Sequence, residues 1–268
     1  MDGDISLKTE KIKARKEAGI GWVVFNNPER RNAVSPEMQQ AAFEVLEDFT
    51  ADKAVRVIIL TGAGDKAFVS GADISKFESG RATPEQREAW DKVAGRFRQH
   101  LRTVGKPTIA KIRGYCVGGG LGIALNCDLR ITAEDGQFGI PAAKLGIGYA
   151  AEAVGNLVHL VGPSAAKDIL YTGRRMNAQE ALRLGIVNHV VPVAELDEFV
   201  ASYAKTMAGN APLSLIAAKR VVDELMKDPD RRDKALCDKV VADCFGSKDY
   251  IEGRRAFMEK RKPVFTGT

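Results

Sequence analysis

The sequence predicts an α/β fold whose C-terminal third is largely helical, and three observations carry that expectation. Two short apolar runs rich in β-branched residues, Trp22 to Phe25 and Val55 to Leu60, flank a segment of helical periodicity. A further run of the same kind, Thr108 to Ile112, leads into the glycine-rich string GYCVGGGLG. Beyond Gly162 the apolar spacing becomes helical almost to the end of the chain.

The first unit reads strand, helix, strand. Ser35 is placed to cap the free amides of its helix, and Pro36 fits the first helical position. Met38, Ala42, Phe43, Leu46 and Phe49 then recur on one face, a stripe suited to covering a sheet. After the strand at Thr108 to Ile112, the small-residue run up to Cys127 reads as a closely packed buried helix, and Leu129 to Thr132 reads as another strand. The later pattern predicts helices near 164–171, 178–184, 194–208, 213–227, 231–245 and 249–260, broken by one strand at Ile186 to Val191. The polar stretch Glu78 to Arg87, ESGRATPEQR, carries Gly80 and Pro84 and is expected to be a mobile loop, placed to act as a lid. No internal repeat or Pro/Ser-rich linker divides the chain.

A length of 268 residues suits one large core with a helical appendage. The 40 Lys and Arg against 35 Asp and Glu leave a net charge of +5, which favours an anionic partner. Basic and acidic residues alternate, as in Lys205 to Arg232, and no basic stripe is interleaved with aromatics. Nucleic acid is therefore not the expected partner, whereas a small polyanion such as a nucleotide-bearing ligand is. Cys116, Cys127, Cys237 and Cys244 match no zinc or redox spacing and read as reduced, buried thiols. The charged N-terminus and the lack of any bilayer-length apolar run lead us to expect a cytoplasmic protein with no membrane contact.

Three glycine segments compete for a functional role. GIGYAA at Gly146 to Ala151 satisfies the GxGxxA form of a dinucleotide fingerprint, but the preceding GIPAAKL is too poor in β-branched residues for the strand that motif needs, and no strand closes the unit. FVSGADI at Phe68 to Ile74 and VGGGLG at Val117 to Gly122 each follow a strand and read as strand-to-helix turns. Such turns leave main-chain amides unpaired, and two of them face to face could aim two N–H groups at one oxygen, forming an oxyanion hole. The plainer alternative is that these glycines only permit positive φ and close packing of a buried helix.

Five stretches decide between these readings: FNNPERRNAVSPEM at 25–38, FVSGADI at 68–74, KPTIAKIRGYCVGGGLGIALNCDLRITAE at 106–134, TGRRMNAQEALRLGIVNHVVP at 172–192 and DYIEGRRAFMEKRKPVF at 249–265. In this order they resemble the crotonase, or enoyl-CoA hydratase/isomerase, family over nearly the whole chain. The resemblance implies a spiral of repeated strand-strand-helix turns over 1–191 and a C-terminal helical region over 192–268. That region would contact CoA and build a homotrimer or a dimer of trimers. An acyl-CoA thioester is implied as substrate, with no separate cofactor and no metal. Transferred by position, the Ala72 and Gly119 amides would hold the thioester oxygen, while Arg31, Ala33, Asp73 and Ile74 would line the adenine and pantetheine path. Phe257 and Lys260 match positions that meet the CoA of the same or a neighbouring subunit.

The resemblance also exposes a departure. Family hydratases carry one glutamate two residues after the GGG triplet and another after the proline of an FGxPE segment, and those positions here hold Gly122 and Ala142. Neither can move a proton, so the usual syn-hydration has no acid or base at its usual places. The nearest titratable replacements are Tyr149 and Glu152, with Lys144 a third. Tyr149 matches a tyrosine of the family's methylmalonyl-CoA decarboxylases, although their histidine is replaced here by Ala72, and a carboxylate-free pocket would suit an anionic acyl group. Tyr149 alternatively fills space, and Glu152 alternatively favours a helix N-terminus. His100 and His159 are read as surface or satisfied side chains, and Asp128 as structural. A decarboxylase or other lyase using Tyr149 and a non-catalytic acyl-CoA-binding homologue stay open beside the hydratase-like enzyme.

Overall fold

The computed structural model describes residues 2–76 and 82–268. Its strands are β1 (Gly3–Ile5), β2 (Ile12–Glu17), β3 (Ile20–Phe25), β4 (Val57–Gly62), β5 (Ala67–Val69), β6 (Thr108–Ile112), β7 (Tyr115–Val117), β8 (Leu129–Ala133), β9 (Gln137–Gly139), β10 (Met176–Asn177) and β11 (His189–Val191). The α-helices are α1 (Pro36–Ala51), α2 (Pro84–Thr103), α3 (Gly119–Ala124), α4 (Ala151–Thr172), α5 (Ala178–Arg183), α6 (Leu196–Ala208), α7 (Pro212–Leu225), α8 (Lys234–Phe245) and α9 (Lys248–Met258).

The strands form two sheets. The larger runs β1-β2-β3-β4-β6-β8-β11, antiparallel through β3 and parallel thereafter, and the smaller runs β10-β9-β7-β5. Three times over, a strand of the large sheet is followed by one of the small sheet and then a helix: β4, β5, α2; β6, β7, α3; β8, β9, α4. Strand, strand and helix thus repeat as the turns of a spiral.

Burial explains why the parallel strands read as continuous apolar runs. In β4, Ile58 and Leu60 enter a large core shared with α1, α2 and α3, while Val57 and Ile59 face Leu196, Val200 and Ala204 of α6. Both faces of the sheet are covered, so alternation gives way to uniform apolarity. Helix α1 begins as its sequence dictates: the Ser35 hydroxyl accepts from the Met38 amide, Pro36 follows, and Met38, Ala42, Leu46 and Phe49 are fully buried.

Several expectations are corrected. The residues 78–81 of the anticipated loop lie outside the described residues, and Pro84 to Arg87 open α2. There Thr83 and Gln86 form a reciprocal capping box, and Trp90, Ala94, Phe97 and Leu101 make the buried stripe. The helix expected to begin after Gly162 instead spans Ala151–Thr172, with non-helical Gly162 (φ 75°) as a kink. The short strands β5, β7, β9 and β10 were not anticipated, nor were β1 and β2. FVSGADI leads from β5 into a 3-10 turn at Ile74–Lys76 rather than an α-helix. All four cysteines are free, but only Cys116 and Cys127 are buried, because α8, which carries Cys237 and Cys244, buries no residue. Burial pushes the Cys127 thiol up to about 12, which keeps it protonated. No described helix is long and apolar enough to cross a membrane.

Candidate active site

Two backbone segments meet where β5 and β7 end. Val34 makes an isolated parallel bridge to Ala72: its amide donates to the Gly71 carbonyl, and the Asp73 amide donates to the Val34 carbonyl, both at 2.9 Å. A residue held between two such bonds turns its own N–H to the opposite side. That side holds Gly119, the first residue of α3, where amides have no partner within the helix. A Cβ built on Gly119 would stand 3.6 Å from the Ala72 nitrogen.

Glycine is required for this approach. Gly118 takes φ 55° and its amide donates to the Gly139 carbonyl of β9 at 2.8 Å, tying the turn to the next strand. At Gly120 a Cβ would come within 1.9 Å of the Val69 carbonyl oxygen, so no side chain fits between α3 and β5.

A cavity of about 460 Å3 has Ala72, Gly119 and Tyr149 in its wall. Gly122 and Ala142 line it too, and a Cβ added at Gly122 would meet nothing within 4 Å. Tyr149 is half-buried, and its hydroxyl lies 3.8 Å from the Cβ position of Gly118. Glu152 stands in the first turn of α4, exposed, and also belongs to the wall. The cavity is not free of carboxylates: Asp91 of α2 joins Glu152, with Arg98 as the single basic residue in the described wall.

The remaining candidates fall in three places. Near the mouth, Ile74 is 58% exposed and in the wall, while Asp73 is buried, its Oδ1 accepting from the Ser75 amide and hydroxyl and lying 3.6 Å from Arg30. Half-buried Ala33 precedes Val34, and the Arg31 guanidinium stacks 5.0 Å from the Tyr115 ring centre with Arg175 at 5.1 Å. Phe257 and Lys260 lie at the end of α9, Phe257 83% exposed, and neither joins the cavity wall. Lys144 rests against Gly173 instead of the cavity. His159 is exposed, and His100 packs on Phe43 with a buried Nε2 that has no partner, so it is not the satisfied side chain expected. Asp128 is structural: its Oδ2 accepts from the Thr108 amide and hydroxyl and pairs with Lys219 at 3.0 Å.

Sequence reasoning missed Gln39 of α1, Asn126 after α3, and the whole face of α2 formed by Trp90, Asp91, Ala94, Gly95 and Arg98. The signal was present in the Thr83 to Gln86 capping box ahead of apolar residues three and four apart. Among the described residues no group of His, Cys, Asp and Glu is arranged to hold a metal ion.

A spiral of two sheets that repeats strand, strand and helix defines an α/β protein of the crotonase fold. The family model for enoyl-CoA hydratase/isomerase matches residues 15–268. A short-chain-enoyl-CoA hydratase of Clostridium acetobutylicum is 32% identical, covering 96% of this chain and 97% of its own length. A crotonyl-CoA hydratase of Syntrophomonas wolfei is 34% identical over 96% and 98% of the two chains. The crystal structure of an enoyl-CoA hydratase/carnithine racemase from Magnetospirillum magneticum superposes with a TM-score of 0.93 at 39% identity, covering 97% of each chain. The chain belongs to the enoyl-CoA hydratase/isomerase family of acyl-CoA enzymes.

Proposed function

We propose that the protein binds an acyl-CoA thioester with its carbonyl oxygen between the Ala72 and Gly119 amides and stabilises the enolate formed there. The observation that carries this reading is the juxtaposition of those two amides, each turned away from its own secondary structure, at the wall of the cavity. A thioester oxygen gathers negative charge as the α-carbon loses a proton or a carboxylate. Fixed N–H donors stabilise that charge without reorganising, each at roughly 10²–10³ in rate.

The acid and base are not those of a family hydratase. With Gly122 and Ala142 in the wall, no carboxylate stands at either usual place, and hydration of a simple enoyl-CoA is slow. Tyr149 is the titratable group we assign to the reacting end, because its hydroxyl lies beside Gly118. Glu152 is the second candidate. The same position of Tyr149 supports a lyase reading in which loss of CO2 forms the enolate directly, although Asp91 and Glu152 would repel an anionic acyl group.

The CoA path runs past Ile74, Asp73, Ala33 and Arg31, whose cationic surroundings suit phosphate. Phe257 and Lys260, which do not join the cavity wall of their own chain, are assigned to the CoA of a neighbouring copy in a homotrimer or dimer of trimers. Exposed Phe245, Ile251, Phe257 and Met258 on α8 and α9 support burial there. Residues 1–191 form the spiral core in this reading and 192–268 the assembly region. Calorimetry tests it: acyl-CoA binds wild type, and Lys260→Ala weakens binding several-fold at unchanged melting temperature. No heat of binding with any acyl-CoA contradicts the reading outright.

A further inference from the structure

We infer that Gly95 and Gly122 are specificity residues that keep the cavity broad, which makes the substrate a thioester whose acyl group is branched or ring-bearing close to the carbonyl. This rests on the acyl-CoA reading above. Both glycines lie inside α-helices, Gly95 in α2 and Gly122 in α3, and both belong to the wall of the cavity that holds Ala72 and Gly119. Glycine inside a helix destabilises it relative to alanine, because glycine loses more conformational freedom on folding. A positive φ, or a neighbour too close for a Cβ, is the ordinary reason to find one there.

Neither reason applies to this pair. Their φ is not positive, and a Cβ added to either would meet no described atom within 4 Å. Gly253 of α9 is the opposite case, since its Cβ would stand 3.5 Å from the Phe265 ring. Gly155 of α4 is as open as Gly95 and Gly122 but lies outside the described wall, which makes it a control. What the missing side chains leave free at Gly95 and Gly122 is room in the cavity. That room reaches the reacting end: Gly122 follows Gly119 by three residues, so the two share a face of α3 and stand about 5–6 Å apart. With the Gly119 amide on the thioester oxygen, the space beside Gly122 takes the first carbons of the acyl group. Ala94 and Ala142 add little bulk to the same wall, and Trp90, Ile123 and Ile147 make it apolar. A straight chain would leave part of this volume unfilled and forfeit contacts with its lining, whereas a branch or a ring makes them.

The experiment measures binding by calorimetry for two matched pairs of thioesters, tert-butylacetyl-CoA against hexanoyl-CoA and cyclohexanecarbonyl-CoA against heptanoyl-CoA. Wild type should bind the broad member of at least one pair about tenfold more tightly, the scale set by one methylene in a hydrophobic pocket. Gly95→Leu and Gly122→Leu should bring that ratio to one or below, because each fills the space the branch or ring occupies. The ratio is taken within one variant, so a change in the folded fraction does not move it, and the alanine variants are read in the same way if a leucine variant does not fold. Gly95→Ala should hold or raise the melting temperature while lowering the ratio, a combination that a merely structural glycine does not give. Gly155→Ala should hold or raise the melting temperature and leave the ratio alone. No preference for the broad ester in wild type, a ratio unchanged in the variants at both Gly95 and Gly122, an equal change in Gly155→Ala, or a lower melting temperature in Gly95→Ala overturns the inference while leaving acyl-CoA binding intact. Failure of every thioester to bind overturns the acyl-CoA reading and this inference with it.

Discussion

Tyr149 separates chemistry from packing more cleanly than any other side chain in the cavity. Its ring packs against the large core, while its hydroxyl reaches the turn at Gly118. Tyr149→Phe removes a donor and acceptor and keeps nearly all of the volume. On whichever thioester the enzyme consumes, turnover should fall at least about tenfold, the effect of one lost hydrogen bond or proton-transfer group. The melting temperature, read on the same sample, should change little. Unchanged turnover would assign Tyr149 to packing and leave Glu152→Gln as the next substitution. Tyr149 and Glu152 were legible as titratable residues beside the vacated positions, whereas Gln39 was not. It sits in a helical turn that the sequence marks as partly apolar, and only the third dimension places the residue in the cavity wall.

At the level of elements, the glycines of α3 have unlike duties. Gly120→Ala would press a Cβ into the Val69 carbonyl, and since backbone cannot step aside, β5 and the Ser70 to Ala72 segment must shift. Thermal or urea unfolding should show a loss of about 1–3 kcal/mol, with acyl-CoA binding impaired. Gly122→Ala, two residues on and facing open space, should leave stability equal or raise it by up to about 1 kcal/mol, because alanine is the better helix former. Equal effects of the two would contradict the close approach of α3 to β5. Lys106, before β6, ties the spiral to the end of α1: its Nζ donates to the Phe49 carbonyl and, at 2.6 Å, to the Asp52 carbonyl. Burial lowers its ammonium from 10.5 to about 8. Between those values the unfolded chain holds the extra proton, so this lysine's contribution to stability rises with pH across that window. The stability difference between wild type and Lys106→Met should move in favour of wild type from about pH 8 to about pH 10, and a flat difference contradicts it. The sequence marked α1 by a capping serine, a proline and a clean apolar stripe, and β3, β4, β6 and β8 by β-branched runs. It concealed the small sheet, because strands of two or three residues are too short to display alternation. Helix α2 was concealed by a polar outer face and by a first turn whose Pro84 reads equally as a loop residue.

The whole molecule closes its chain on itself and leaves one flank apolar. Asp249 of α9 accepts from the amides of Thr266 and Gly267 at 2.7 and 2.8 Å, and the Lys248 amide donates to the Thr268 carbonyl at 2.7 Å, so the final residues are strapped to the last helix. Phe257 and Met258 nevertheless stand 83% and 80% exposed on that helix, a cost that assembly with further copies would remove. In the assembly proposed above, Phe257 and Lys260 would meet a neighbour's ligand, and Lys260 would then set part of the net charge of +5 beside the CoA phosphates. The central claim, that a pair of amides stabilises a thioester enolate without the hydratase glutamates, is tested most directly by following the mass of a panel of acyl-CoA thioesters incubated with the wild-type protein. At least one thioester should change mass, while a short trans-2-enoyl-CoA gains water at a rate well below the ordinary enzyme range of about 1–10³ per second. A panel left entirely unchanged, or hydration of the simple enoyl-CoA within that range, would contradict the account.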